Sequence, residues 1–316
     1  MTGLGSEILL FIMGMVFLVW GSSLFVDSAV RIAKHFHVPE VLIGATIVSL
    51  GTTLPEVLFS VTASFKGLPD MALGNALGSI LCNTGMIAGI LLLLRPMEIK
   101  EGERQNLIWN AGILSAAFLI YAVSGFLFGG LPGVSGLVLL GLCIYYLWNI
   151  KKRMTKQEET FLEEPFQTSD WIRVVMEAVL IYIGASVLVD IGPQLAHRLG
   201  VPEVVIALVF VAVGTSLPEL ITSLIAIKKR HAALSLGNII GADILNFVLV
   251  GGLSSLIHPI HYPDTVMRLD LPFVALVLVT LCLPAVLKKK TARGQGVLLV
   301  LFYIGYLLVL NRDYIL

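Results

Sequence analysis

The amino-acid sequence predicts an all-α membrane protein with ten transmembrane helices, arranged as two inverted-topology repeats of five. Three observations predict this fold class. The 316 residues are 57% hydrophobic and only 13% charged, whereas soluble globular chains are about a quarter charged. Ten apolar runs are long enough to cross a bilayer, and the second half of the chain repeats sequence from the first half at a constant offset.

A transmembrane helix needs about 20 mostly apolar residues. The polar segment 151–170 divides the chain into a first five-helix repeat (1–150) and a second five-helix repeat (171–316). The ten predicted spans are 8–33, 38–65, 70–94, 105–126, 133–150, 171–196, 202–227, 232–257, 269–287 and 295–311.

The positive charges are distributed unevenly between the two sides of the membrane that this span count defines. If the N-terminus lies outside, 17 of the 21 Lys and Arg residues fall in cytoplasmic segments and 4 fall outside. The positive-inside rule describes this bias. We therefore expect a multi-pass protein of the cell membrane (inner or plasma), with both termini outside and the 151–170 linker in the cytoplasm.

The two halves share sequence at one constant offset, which aligns Glu56 with Glu219. "VPEVLIGATIVSLGTTLPE" (38–56) aligns with "VPEVVIALVFVAVGTSLPE" (201–219) at 11 identical positions of 19, and "LGNALGSILCN" (73–83) aligns with "LGNIIGADILN" (236–246) in the same register. Because each unit has an odd number of predicted spans, the second must enter the membrane from the opposite side. Inverted repeats of this kind are typical of transporters, whose binding sites lie near the bilayer midplane.

The repeated motif places a proline and a carboxylate inside an apolar span. Pro55 has no N–H and crowds the carbonyl four residues back, so the helix must bend or break near Gly51. Irregular backbone at membrane depth persists only where protein or a wet cavity surrounds it. Thr52 and Thr53 lie on the same helical face as Glu56. The second copy supplies Thr215, Ser216 and Glu219.

The third span of each half adds more oxygen-bearing side chains. Ser79 and Asn83 share a helical face in the first half, and Asn246 occupies the position of Asn83 in the second. Asp243 lies three residues before Asn246, where it can face the same cavity. The glycines at 74, 78, 237 and 241 have the spacing of small-residue helix-packing motifs.

A charged side chain in the bilayer is expensive and indicates function by default. Glu56 and Glu219, brought together by a pseudo-two-fold axis, would repel each other unless a cation lay between them. Carboxylates, hydroxyls and freed carbonyls are the ligands that hard cations prefer. One divalent cation, monovalent ions or protons can each neutralise the pair. The residues alone therefore do not decide which of these ions binds at the site.

At these residues the chain resembles the sodium/calcium exchanger family of the calcium/cation antiporter superfamily, in its compact prokaryotic form. The motifs that carry the resemblance are "GTTLPE…GNALGSILCN" and "GTSLPEL…GNIIGADILN", and span count and linker length agree with it over the whole chain. The resemblance implies a secondary antiporter that exchanges sodium for calcium by alternating access, with spans 1 and 6 sliding against the other eight.

The resemblance also implies roles for individual residues. Glu56 and Glu219 would be the central ion ligands, and Ser49 and Ala212 would lend backbone carbonyls. The supporting ligands would be Thr52, Thr53, Ser79, Asn83, Thr215, Ser216 and Asn246. This sequence departs from the family pattern at Ala242 and Asn246, and Asp243 adds an acid where Asn is commoner, which leaves the ion stoichiometry open.

The residues leave other functions open. Proton/calcium or other cation/proton exchange is the main alternative, although the "GNALGS" and "GNIIGA" motifs lack the glutamate of proton-coupled relatives. A channel is a third possibility. We expect no enzyme activity, no cofactor, no nucleic-acid partner and no obligate protein partner, with sodium, calcium and the lipid bilayer as the only partners.

Two further acids repeat at the same offset. Asp27 and Asp190 lie on predicted spans 1 and 6. Asp27 can pair with Arg31 one helical turn on, so we expect structural or interfacial roles for the two acids, with gating as the alternative.

Overall fold

The protein is a bundle of helices in a computed structural model that describes residues 4–36, 40–99, 101–154, 168–198, 216–288 and 290–315. In the first half the elements are α1 (Leu4–His35), α2 (Glu40–Thr52), α3 (Leu54–Phe65), α4 (Pro69–Leu94), α5 (Glu101–Phe128), β1 (Gly130–Leu131) and α6 (Gly133–Met154). In the second half they are α7 (Thr168–Arg198), α8 (Leu217–Lys228), α9 (Ala232–Ile257), β2 (Ile260–His261), α10 (Leu271–Lys288) and α11 (Arg293–Ile315).

Most of the predicted spans are present as long apolar helices. Eight helices of the described residues are long and apolar enough to cross a membrane, and the bent pair α2–α3 makes a ninth. The remaining predicted span, 202–227, falls largely on residues 201–215, which lie outside the described residues. The chain is therefore an all-helical multi-pass membrane protein, and the count of ten stays a prediction.

Helices α4 and α9 occupy the centre of the bundle. Of the residues in their apolar segments, 72% and 83% are buried, against 28% to 41% in the other long spans. The outer helices instead expose large apolar side chains such as Phe126, Trp148 and Val279, as expected of surfaces that face lipid. Both central helices contain a π-helical stretch, at Cys82–Ala88 and at Asn246–Val250. Such stretches are frequent at functional sites.

The sequence repeat is also visible in the helix boundaries. Helices α3 and α8 begin and end at aligned positions of the two repeats, and so do α4 and α9. Helices α1 and α7 pack side by side and run in opposite directions, because Glu7 near the start of α1 contacts Arg198 at the end of α7. At the other end Ser28 of α1 contacts Glu177 of α7. Opposite directions for these two helices are what an inverted repeat requires.

Short contacts join the loops at the two ends of the bundle. Strands β1 and β2 pair antiparallel, with Gly130 opposite His261. An isolated bridge joins Glu98 to Lys290. These contacts connect the end of α5 with the end of α9, and the end of α4 with the end of α10.

Candidate functional site

The span that carries the first motif breaks where the sequence predicts. Helix α2 ends at Thr52, α3 begins at Leu54, and their axes differ by 48°. Pro55 is the second residue of α3. It has no N–H to donate, so the Gly51 carbonyl loses its usual helical partner. The break places Glu56 in the first turn of α3.

The second half repeats this arrangement in α8. This helix begins at Leu217 with Pro218 in its second position and Glu219 in its first turn. Carboxylates suit the first turn of a helix, because the helix dipole and the free N–H groups there favour negative charge. Each half thus directs one acid from a helix start into the interior of the bundle.

The structure brings the two acids together. Glu56 and Glu219 are both completely buried, and they lie close enough for their negative charges to repel each other. The Thr53 hydroxyl of the first half donates a hydrogen bond of 3.2 Å to Glu219 Oε1 of the second half. The Ser79 hydroxyl lies beside the Glu56 carboxylate. One site is therefore built from both repeats.

Several buried polar atoms of this site lack a hydrogen-bond partner within the described part of the chain. They include both carboxylate oxygens of Glu56, Oε2 of Glu219, the hydroxyl of Ser216 and the side-chain amides of Asn83 and Asn246. The large majority of buried side-chain polar atoms in native structures have a hydrogen-bond partner. A concentration of unpaired oxygen atoms at two carboxylates fits a hard cation, which takes oxygen ligands in this arrangement.

A third acid stands next to this pair. Asp243 on α9 is completely buried. Its Oδ2 accepts a hydrogen bond from the Thr84 hydroxyl of α4, and the Asn83 side chain lies beside it. Its other oxygen has no partner among the described residues. The repeat places Ile80 at the matching position of α4, so the additional negative charge belongs to the second half alone.

For three of the predicted ligand residues, the ligand role stays a prediction. The Ser49 carbonyl already accepts the Thr53 N–H at 2.9 Å and lies 3.4 Å from the Thr52 hydroxyl oxygen. The Ser49 hydroxyl points back along α2 to another carbonyl. A role for the Ser49 carbonyl in ion binding stays a prediction. Ala212 and Thr215 lie outside the described residues.

Two asparagines hold the site together, and the sequence reasoning did not select them. Asn238 of α9 accepts the Thr52 hydroxyl proton at 3.2 Å and donates to the Ser223 hydroxyl at 3.2 Å. In the first half, Asn75 of α4 donates to the Ser60 hydroxyl at 2.9 Å. These contacts match in the two repeats. The available signal was the G-N dipeptide, which begins the "GNALGS" and "GNIIGA" motifs in the third span of each half.

Glycines allow the helices of the site to approach each other. A Cβ added to Gly237 of α9 would meet the Val41 backbone of α2, and a Cβ added to Gly241 would lie 2.5 Å from Ala45 Cα. The packing role predicted for Gly237 and Gly241 is confirmed. A Cβ added to Gly74 or Gly78 meets no described residue within 4 Å, so their packing role stays a prediction. Tyr146 of α6 supports α2 at the same level by donating a 2.6 Å hydrogen bond to the Ala45 carbonyl.

Comparison with known proteins gives matches over nearly the whole chain. The family model described as "Sodium/calcium exchanger protein" matches residues 6–151 and 169–311, one stretch in each half. Sodium/calcium exchanger MaX1 of Methanosarcina acetivorans is 31% identical, with 96% of this chain and 97% of that protein covered. Uncharacterized membrane protein MJ0091 of Methanocaldococcus jannaschii is 33% identical, with 93% and 94% covered.

Solved structures give the same result. A structure of the sodium-calcium exchanger NCX_Mj, soaked with 2.5 mM Na+ and 10 mM Sr2+, superposes with a TM-score of 0.82 at 30% sequence identity. The match covers 96% of this chain and 98% of that one.

Proposed function

The chain belongs to the sodium/calcium exchanger family, a family of cation/calcium antiporters, and on that premise we propose that it exchanges sodium for calcium by alternating access. The observation that carries this proposal is the buried pair Glu56 and Glu219, which comes from two different halves and has no positively charged partner among the described residues. Relatives that bear the exchanger name cover nearly the whole chain, so we assign their two cargo ions to this site.

The chemistry of the pair explains how two ion species compete. Two carboxylates balance the charge of one calcium ion, or of two sodium ions, so either cargo neutralises the Glu56–Glu219 pair. Calcium takes 6–8 oxygen ligands, and the site offers that number from carboxylates, hydroxyls, amides and freed carbonyls. The proposed ligands are Glu56, Glu219, Thr52, Thr53, Ser79, Asn83, Thr215, Ser216, Asn246 and Asp243, with the carbonyls of Ser49 and Ala212.

The proposed transport cycle uses the two repeats. We assign the halves opposite orientations in the membrane, with ten spans, both termini outside and the 151–170 linker in the cytoplasm. The packed pair α1–α7 would slide against the rest of the bundle and open the Glu56–Glu219 site to one side at a time. The antiparallel contact between α1 and α7 supports this assignment.

The test is uptake of calcium-45 into proteoliposomes that contain the purified protein. The uptake is driven by a sodium gradient directed out of the liposomes. We expect uptake in the unmodified protein, and uptake no greater than that of protein-free liposomes in Glu56→Gln and Glu219→Gln. Asp264→Asn is the matched control, because this acid is 88% exposed and lies away from the site. Sodium-driven uptake that persists in either glutamine variant would end the proposal.

The same liposomes separate the alternatives. Calcium uptake driven by a pH gradient in the absence of sodium would assign proton/calcium exchange instead. Calcium currents without any countertransported ion would indicate a channel. A potassium gradient, applied alone and together with sodium, determines whether potassium takes part.

A further inference from the structure

Two acid–lysine pairs occupy equivalent positions in the two repeats. Asp27 and Lys229 form one pair, and Asp190 and Lys66 form the other, since the repeat aligns the two acids with each other and likewise the two lysines. In each pair the acid lies on α1 or α7, and the lysine immediately follows α3 or α8. Each pair therefore spans the boundary between the α1–α7 pair and the rest of the bundle.

The first pair is closed. Lys229 Nζ lies 2.7 Å from Asp27 Oδ2 and donates a 2.7 Å hydrogen bond to the Ser23 carbonyl. Deeper along the same boundary, the Thr222 hydroxyl donates to the Ser22 hydroxyl at 3.1 Å. The sequence suggested Arg31 as the partner of Asp27, but its guanidinium donates to the Ser28 hydroxyl. The partner lies on another element.

The second pair is open. A cleft of about 460 Å³ separates α7 from α3, and Lys66 and Asp190 both line it. No ion pair joins these two described residues across the cleft. The repeat equivalents of Thr222, Ser22 and Ser23 also line it: they are Phe59, Ala185 and Ser186. The residues that close one boundary thus have their counterparts along the open one.

Helices α1 and α7 are tied to each other at both ends. Arg198 Nε lies 2.9 Å from Glu7 Oε2 at one end, and the Ser28 hydroxyl donates to Glu177 at 3.0 Å at the other. Between these contacts the two helices touch at glycine, because a Cβ on Gly14 would lie 3.1 Å from the Gly184 carbonyl oxygen. A displacement of one helix therefore carries the other with it.

We propose that the two acid–lysine pairs are alternating latches of the transport cycle. When the α1–α7 pair shifts to close the cleft, Lys66 binds Asp190 and the Ser186 carbonyl, and Lys229 releases Asp27. The present structure is the state with the Lys229 latch closed and the Lys66 side open, which the charge distribution predicts to be the outside. This inference rests on the alternating access proposed above.

The strength of the latch suits this role. The closed pair is partly exposed, with Asp27 at 50% and Lys229 at 27%. Exposed ion pairs change an equilibrium by about 1.4- to 5-fold. A contact of that strength biases a two-state equilibrium without trapping either state, and forming the second latch compensates for the loss of the first.

Cross-linking in purified, detergent-solubilised protein tests the latch without requiring transport. A short bifunctional thiosulfonate is added to the double variant Lys66→Cys/Asp190→Cys, and both single variants serve as blanks for the native cysteines. We expect a 66–190 cross-link, because the cleft closes transiently. Asp27→Asn should accelerate it by about 1.4- to 5-fold, because this substitution releases the opposite latch. Asp264→Asn should leave the rate unchanged.

Swapping the charges of Lys66 and Asp190 tests the open pair itself in proteoliposomes. Asp190→Lys places two like charges at the cleft and should slow sodium-driven calcium exchange, and the double variant Asp190→Lys/Lys66→Asp should restore it. The latch is refuted if the 66–190 cross-link does not form, or if Asp27→Asn leaves the cross-linking rate unchanged. It is also refuted if the double variant Asp190→Lys/Lys66→Asp exchanges calcium as slowly as Asp190→Lys. Absence of calcium exchange in the unmodified protein would instead contradict the proposed function.

Discussion

Gly241 sets the distance between two helices of the site, and enlarging it should weaken calcium binding. A Cβ at this position would lie 2.5 Å from Ala45 Cα and 2.6 Å from the Ser49 hydroxyl oxygen. Carbon atoms in contact require about 3.5 Å, so Gly241→Ala must push α2 and α9 apart by roughly 1 Å. The 3.2 Å hydrogen bond between Thr52 and Asn238 joins the same two helices and would be lost.

The magnitude follows from the loss of that hydrogen bond. A buried hydrogen bond contributes about 0.5–1.5 kcal/mol, which corresponds to a decrease in calcium affinity of about 2- to 13-fold. Overpacking costs a further 1–3 kcal/mol or so of folding free energy, and alanine returns up to about 1 kcal/mol through helix propensity. The net loss of about 0–3 kcal/mol is smaller than the roughly 5–15 kcal/mol by which native proteins are stable, so we expect the variant to fold.

The assay is equilibrium calcium-45 binding to the purified protein, with thermal unfolding measured alongside. The matched control is Gly141→Ala on α6, because this glycine is exposed and has no neighbour within 4 Å among the described residues. The control should bind calcium as the unmodified protein does. Unchanged affinity in Gly241→Ala, or an equal loss in Gly141→Ala, would refute the reasoning that helix spacing positions the ligand hydroxyl.

Three further substitutions test other parts of the site. Asn238→Leu removes the acceptor of the Thr52 hydroxyl proton, and calcium-45 binding should weaken by about 2- to 13-fold; an unchanged affinity would show that this hydroxyl needs no positioning. Pro55→Ala supplies the missing N–H and favours a straight helix. Sodium-driven calcium exchange should therefore fall, while the unfolding temperature stays the same or rises. Normal exchange would contradict a role for the helix break between α2 and α3. Thr84→Val leaves an additional buried oxygen of Asp243 without a donor, which should lower the free energy of unfolding by about 1–3 kcal/mol, as measured by thermal unfolding. Thr84→Ser is the control, and it should keep most of the stability of the unmodified protein because serine retains the hydroxyl.

The helix break and the paired acids are the parts of the site that the sequence predicts well. Pro55 lacks a donor in any helix, so the bend at this residue follows from covalent chemistry. The constant offset of the repeat makes Glu56 and Glu219 equivalent, and any pseudo-two-fold arrangement of the halves brings equivalent positions near the axis together. The bend does not depend on how the helices rotate or cross. The meeting of the two acids also requires that they lie near the axis, unlike the equivalent acids Asp27 and Asp190, which lie at separate boundaries.

Contacts between helices that have no counterpart in the other repeat are beyond such reasoning. The Thr84 hydroxyl binds Asp243, but the matching positions are Phe247 and Ile80, so the repeat gives no hint of this pairing. Partners of this kind depend on the rotation of each helix about its axis and on the crossing angle, which hydrophobic periodicity does not specify. The partner of Asp27 was wrongly sought one turn along its own helix for the same reason.

The two asparagines that bond to hydroxyls of the site, Asn75 and Asn238, could be predicted in part. Asn75 and Asn238 are repeated, so their equivalence could be recognised, but their bonds to Ser60 and Ser223 could not. Amide side chains in apolar helices are compatible with helix packing, ion ligation or support of another ligand. The structure decides between these roles because it supplies the partner of each amide.

The central claim is that one cation binds between the carboxylates of Glu56 and Glu219. The most direct measurement is anomalous diffraction from crystals of this protein soaked in strontium at low sodium. The account predicts a strontium peak coordinated by oxygens of both glutamates, at distances slightly longer than the roughly 2.3–2.6 Å of calcium. The peak should disappear when sodium is raised and be absent in Glu219→Gln. A peak bound by only one of the two acids, or none at this position, would contradict it.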